Sequence, residues 1–330
     1  MKRDESLDMA KGIGLLAVIA AHVGVVRPLN IFFYIFHLPV FFIISGYFYH
    51  CEGRKTFLKK KLKGYLIPYV SCAAVIILFR FLGTLYASGR AVAVETLKWD
   101  TIALALQQRY TTLWFLAALF IGIIIFDALF RLLGDRAALY IVCCILSAVF
   151  IFYDTFVQVP LPWNLDTAFI IQFYLAFGHL AREKGLFRKL AMENPHPWLT
   201  AAGFACIAVG LTVLNEKITG TTYEMFYSSY GIFPLTLAAA VLLSLAVIIL
   251  SHRIHIRPVS YIGRNSMIYF AFHQSIALPL AGAAVSRVGL GSSIGERIIH
   301  FLLVYALVLF LCFAADLIVR HTPFKFMAGK

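Results

Sequence analysis

The chain is dominated by ten apolar runs, each close to the roughly 20 residues that an α-helix needs to cross the hydrocarbon core of a bilayer. They fall near 10–27, 31–49, 65–85, 112–130, 137–154, 163–181, 198–214, 232–250, 266–285 and 298–319. A 330-residue chain that is 61% hydrophobic and 14% charged, with mean hydropathy +0.85, has too little polar surface for a water-soluble domain. The expected fold is all-α: a polytopic integral membrane protein with about ten transmembrane helices and a single domain over 1–330. The sixth run is the least apolar, and the link between the first two leaves room only for a hairpin.

The formal charge of +13 raises the question of nucleic acid, and the placement of the cations answers it. With the N-terminus inside, 21 Lys and Arg fall in inner segments and 7 in outer ones, Arg80 within the third run completing the 29. This threefold bias puts both termini in the cytoplasm, points to the cell's inner or cytoplasmic membrane, and assigns the positive charge to topology rather than to nucleic acid. The stretch "RKTFLKKKLKG" reads as a topogenic, lipid-touching loop or as a landing patch for a polyanionic nucleotide carrier. Asp4, Glu5 and Asp8 are unlike a signal peptide, so the first helix is expected to be retained. Of six cysteines, Cys72, Cys143, Cys144, Cys206 and Cys312 lie in or beside apolar runs and no pair has metal-ligand spacing with nearby His, so free, buried thiols with no metal site are expected.

Ionisable groups inside a transmembrane helix are costly and by default mark a cavity, a relay or a substrate path. His22, His37, His179 and His273 qualify. Lys11 and His22 are eleven residues apart, within about 20° of whole helical turns, so they project from one face about 16 Å apart along the axis. Asp8, three residues before Lys11, is placed to pair with it. His22 alone reads equally as an imidazole bonded to a backbone carbonyl. His37, in the neighbouring span, makes a shared cavity the stronger reading.

In "IFFYIFHLPVFFIISGYFYH", Pro39 denies a partner to the carbonyl four residues back and bends the span, which a polar cavity tolerates. Ser45 and Gly46 read either as a close helix crossing or as part of a site. Trp114 reads as an interfacial aromatic or a cavity wall, and Asp166 as a solvated loop-edge carboxylate or a cavity residue. His179 precedes a basic inner loop and reads as a boundary residue. The loops 86–111 and 215–231 are outer, and their tyrosines 110, 223, 227 and 230 are of a type that stacks on sugars.

Five stretches in order, "LDMAKGIGLLAVIAAH", "IFHLPVFFIISGYFY", "LWFLAALF", "LPWNLDTAFIIQFYLAFGHLAREKG" and "YIGRNSMIYFAFHQ", make the chain resemble the membrane-bound acyltransferase-3 family. Within that family it is most similar to the fucose 4-O-acetylase-like acetyltransferases. The resemblance implies a ten-helix membrane enzyme that moves an acyl group, by default acetyl from acetyl-CoA, to a hydroxyl of a surface or lipid-linked glycan. It makes His22 the general base, with His37 as a further catalytic candidate. Lys11, Ser45 and His273 become donor-binding candidates, and Asp8, Trp114 and Asp166 cavity or acceptor residues. Many relatives carry Arg at the position of Lys11; Lys keeps the charge but not the planar bidentate contact.

Two readings from other classes compete. A transporter or flippase for a glycan intermediate or small solute would use the histidines as a proton relay. A silent scaffold of a polysaccharide-synthesis complex would use them only for packing. The acceptor sugar, the acyl chain and the oligomeric state are not fixed by the sequence.

Overall fold

The computed structural model describes residues 4–291 and 293–329. Lys2, Arg3 and Lys330 of the inner-side charge count lie outside the described residues. Among those residues the chain is helical without a β-strand, as expected: α1 (Glu5–Val23), α2 (Arg27–Tyr47), α3 (Arg54–Ser88), α4 (Arg90–Leu106), α5 (Trp114–Leu133), α6 (Ala137–Phe156), α7 (Leu165–Ile170), α8 (Gln172–Glu183), α9 (Pro197–Thr219), α10 (Phe233–Arg253), α11 (Arg257–Arg264), α12 (Ser266–Ser286) and α13 (Ile294–His321). Nine of them, α1, α2, α3, α5, α6, α9, α10, α12 and α13, are long and apolar enough to cross a membrane.

The tenth expected span, 163–181, is not one continuous helix. It enters through Trp163 and Asn164 in left-handed conformations, at φ 58° and 51°, and breaks again at Ile171 between α7 and α8. Its freed backbone is satisfied internally. Ser147 donates to Ile170 O at 2.7 Å and accepts from Phe173 N at 2.9 Å, while Gln172 donates to the carbonyls of Gly122 and Ala168. Irregular backbone at membrane depth is tolerated only where protein groups supply such partners. The expected outer loop 86–111 is likewise mostly the helix α4, which folds back along α3 with Tyr69 donating to Leu104 O.

Burial separates a central layer from a periphery. The core windows of α1, α2 and α10 are 67%, 61% and 61% buried, whereas those of α6, α9 and α13 are only 22 to 28% buried. The outer faces of the peripheral helices carry apolar side chains such as Phe152, Leu199 and Phe310, the composition that lipid rather than water requires. Three cysteines, Cys51, Cys144 and Cys206, share this exposure; Cys72, Cys143 and Cys312 are buried, and all six are free. The expectation of buried thiols fails for Cys144 and Cys206 because an apolar run has a lipid face as well as a core face, and for Cys51 because it lies in the polar stretch between α2 and α3.

Two glycine crossings lock the centre. A Cβ on Gly46 would overlap the Leu175 carbonyl, and one on Gly178 the Ile43 carbonyl, so α2 and α8 touch backbone to backbone. Gly12 and Gly263 do the same for α1 and α11, where the added carbons would strike Val259 O and Asp8 O. Small residues permit such approach, which membrane helices use because lipid gives no hydrophobic drive between them. Gly46 is therefore a packing residue, while Ser45 next to it points elsewhere. Both chain ends reach the same end of the bundle: Glu5 lies 3.3 Å from His255, and Tyr261 of α11 donates to Asp316 near the end of α13.

Three helices are deformed beside a proline. α2 is interrupted at His37 and Leu38, and Pro39 starts its second half. In α3 and α12 the turn widens to a π-turn over Leu62–Leu66 and His273–Ala277, just before Pro68 and Pro279. Proline has no N–H for the carbonyl four residues back, and a wider turn relieves the mismatch. The kinks at Pro39 and Pro279 set His37 and His273 at breaks in otherwise regular helices.

Candidate active site

Two cavities adjoin in the middle of the bundle. The first, about 430 Å³, has His22, His37, Trp114, Tyr34, Arg80 and Glu224 in its wall. The second, about 280 Å³, is walled by Lys11, Ser45, Lys61, Tyr65 and aromatic rings of α2 and α5. Phe270 of α12 belongs to both walls, and its ring packs 4.8 Å from that of Phe115. A single layer of aromatic rings thus separates the space beside His22 from the space beside Lys11.

The histidines of the first cavity share one hydrogen-bond pattern. His22 Nδ1 lies 2.8 Å from Val18 O, and His37 Nδ1 lies 2.6 Å from Phe33 O. A carbonyl oxygen only accepts, so in each ring Nδ1 carries the hydrogen and Nε2 the lone pair. His273 repeats the pattern with the carbonyls of Tyr269 and Phe270, and its Nε2 is buried with no hydrogen-bond partner among the described residues. Its ring meets that of His22 edge to face at 5.0 Å. His273 therefore stands behind His22 and is not part of the Lys11 cavity wall. His37 is flanked by Tyr34, 4.9 Å away and edge-on.

The second cavity carries the cations. Lys11 Nζ pairs with Asp8 Oδ1 at 2.7 Å, the spacing the sequence implies, and Asp8 itself reaches neither cavity. Ser45 lines this cavity but spends its hydroxyl hydrogen on Phe41 O at 2.7 Å, leaving an oxygen that accepts. Trp114 is 6% exposed, packed against Phe115 and Phe226, so it is a cavity wall and not an interfacial ring in contact with lipid headgroups.

Asp166 lines neither cavity and is not a solvated loop carboxylate. It is fully buried, and Arg109 Nη2 reaches both Asp166 Oδ2 and Asp154 Oδ2 at 2.7 Å. Tyr230 donates to the same Asp154 oxygen at 2.9 Å. Arg109 also donates to Phe226 O and to the Ser228 hydroxyl, so this cluster anchors the segment that carries Glu224 over the first cavity. His179 sits apart in an aromatic nest, 3.1 Å from the Tyr140 hydroxyl. Among the described residues no group of three or more His, Cys, Asp and Glu is arranged to hold a metal ion.

Sequence reasoning missed Tyr34, Arg80 and Glu224 of the first cavity, together with the Arg109 and Asp154 anchor. Arg80 left a legible signal, as the lone charge inside the third apolar run; its guanidinium pairs with Asp100 of α4 at 2.7 Å. Glu224 left none, because nothing in a polar loop distinguishes the carboxylate that folds inward.

Neither the curated proteins nor the solved structures include a significant match. The family model for the acyltransferase-3 acyltransferase domain matches residues 4–318, which takes in both cavities and every residue of their walls. The chain belongs to the acyltransferase-3 family of membrane acyltransferases.

Proposed function

We propose that the protein is an O-acetyltransferase of the cytoplasmic membrane, moving acetyl from cytoplasmic acetyl-CoA to a hydroxyl of a surface or lipid-linked glycan. The observation that carries the reading is His22: its Nδ1–H is committed to Val18 O, so the basic Nε2 is the free nitrogen of a cavity-lining ring. Lys11 lies on the same helix at the far side of the Phe270 partition. This offset suits a donor whose anionic nucleotide end stays with the cations of α1 and α3 while its thioester arm reaches toward His22.

An acceptor hydroxyl is a poor nucleophile until a base with pKa near neutrality takes its proton, and imidazole meets that requirement. His22 Nε2 takes the hydroxyl proton as the oxygen attacks the thioester carbonyl. The tetrahedral intermediate then collapses, the C–S bond breaks, and the imidazolium returns the proton to the departing thiolate. His37, in the same wall with its Nδ1–H on Phe33 O, offers the Nε2 lone pair to hold the acceptor hydroxyl in place, and His273 orients the His22 ring. No acyl-enzyme is needed.

The test is thermal unfolding of the detergent-purified protein with acetyl-CoA, CoA and ATP, followed by transfer of labelled acetyl to membrane glycans. A ligand at 100 times its Kd stabilises the folded state by about 2.7 kcal/mol. Acetyl-CoA is expected to raise the melting temperature and ATP is not; His22→Ala is expected to keep that response and lose transfer. Full transfer by His22→Ala refutes the base assignment, and glycan movement without thioester consumption would favour a carrier.

A further inference from the structure

We propose that the first cavity is an acceptor subsite for an uncharged or amino-bearing sugar ring, and that Glu224 is the specificity residue that turns acidic sugars away. The inference rests on the acetyltransferase reading and adds the chemical class of its acceptor. It comes from the charge inventory of the cavity and from the rigidity of the segment that supplies Glu224.

The wall holds two charged side chains, Arg80 and Glu224. Arg80 is neutralised by Asp100, 2.7 Å away, and its guanidinium lies 5.9 Å from the centre of the Tyr110 ring. His22 and His37 each hold a single hydrogen on Nδ1 in this arrangement, and Gln274, Ser275, Thr111 and Thr112 are neutral. Glu224 shares the wall with Tyr34; burial raises its pKa, and the Tyr34 hydroxyl acts in the opposite direction, in favour of the carboxylate. The cavity therefore has one negative charge in excess, inside a protein whose formal charge is +13.

Glu224 is held firmly. Its backbone exchanges two hydrogen bonds with Ser229, at 2.7 and 3.0 Å, closing a tight loop. Arg109 grips Phe226 O and Ser228, the Ser229 hydroxyl donates to Thr222 O, and Asn215 bonds both Thr221 O and Ile232 N. Tyr223 and Tyr230, candidates for stacking on sugar by sequence, are instead buried anchors, bonded to Tyr174 and Asp154. A carboxylate so fixed is preorganised to accept from adjacent hydroxyls, or from an ammonium, of a bound ring. The rings of Tyr34, Tyr110, Trp114 and Tyr227 supply the apolar faces and polar edges that a pyranose requires.

The experiment is saturation-transfer NMR on the full-length detergent-purified protein without donor, at neutral pH, with methyl glucoside, methyl glucosaminide and methyl glucuronide. These probes share a ring and differ in charge. The glucoside and glucosaminide are expected to bind, and the glucuronide to bind about tenfold more weakly or worse, because two like charges several ångströms apart near a protein surface repel by at least the 1.4 kcal/mol that a factor of ten represents. In Glu224→Gln the gap is expected to close. A glucuronide that binds the wild type as well as the glucoside overturns the proposal, as does binding of none of the three. A gap that persists in Glu224→Gln removes Glu224 from it; if that variant does not fold, the wild-type ranking decides. Since acetyl-CoA is absent, loss of this inference with retained acetyl-CoA stabilisation leaves the donor reading intact, and the converse result removes the donor reading alone.

Discussion

Replacing Arg109 by Met separates structural from chemical roles at the site. Arg109 is 8% exposed, and its guanidinium is the positive member of a buried cluster with Asp154 and Asp166, each 0% exposed. Methionine keeps the apolar stem but leaves two carboxylates buried against each other. Removing one partner of a buried ion pair costs about 3–5 kcal/mol. At about 1.4 kcal/mol per factor of ten, the anchored arrangement loses two to more than three orders of magnitude in its favour. The loss falls first on the segment 220–232, because Arg109 also holds Phe226 O and Ser228. Arg109→Met in detergent is expected to melt earlier and to be cut faster by protease within 220–232, with acceptor turnover lost and acetyl-CoA stabilisation partly kept. Adding Asp154→Asn and Asp166→Asn is expected to restore part of the melting temperature, because the unpaired charges are then gone. A single variant that melts like the wild type, or a triple variant no better than the single one, would refute the electrostatic account.

Gly178→Ala is expected to destabilise by about 1–3 kcal/mol through overpacking against the Ile43 carbonyl, read as a lower melting temperature; an unchanged melt would mean that α2 and α8 separate easily. Lys11→Ala is expected to weaken acetyl-CoA binding with Lys11→Arg close to wild type, measured by ligand-dependent melting; equal affinity in all three would remove Lys11 from the donor site. Burial raises the pKa of Glu224 above its ordinary value of 4.5, with the Tyr34 bond acting in the opposite direction. Its charge destabilises the fold at neutral pH, and this penalty is relieved as pH falls through the raised pKa toward 4.5. Exclusion of methyl glucuronide is expected to fade over the same window, and exclusion that stays constant down to pH 4.5 would contradict the assignment.

Legibility in the sequence followed how local each signal was. The apolar runs identify nine crossing helices because hydropathy over some 20 residues is a local sum. The sixth run was misjudged as a plain span because the partners that let it break, Ser147 and Gly122, come from α6 and α5. The relation of Lys11 to His22 was legible because both sit on one regular helix. His273 was assigned to the wrong neighbours, since its position depends on the π-turn before Pro279 and on the packing of α12 against α1. Asp166 and Arg109 looked like outer-loop charges; only the fold brings them to Asp154 and buries all three.

On the proposed function, the placement of charge would keep two unlike substrates apart within one membrane-embedded site. The cavity with Lys11 and Lys61 in its wall is the cationic one and suits the phosphate-bearing donor proposed. The cavity beyond Phe270 carries the unbalanced carboxylate of Glu224, which repels the same phosphates and leaves room for hydroxyls. Between them lies a low-dielectric wall of aromatic rings, where opposite fields are felt over short distances because water does not screen them. A thioester donor of the kind proposed would have only its uncharged arm to advance past Phe270, toward the lone pair of His22. In the proposed reaction the polarity of the helix pair that carries Lys11 and His37 would set the order of the chemistry: charge held at one end, the neutral acyl group crossing, and the hydroxyl deprotonated where the acyl group emerges.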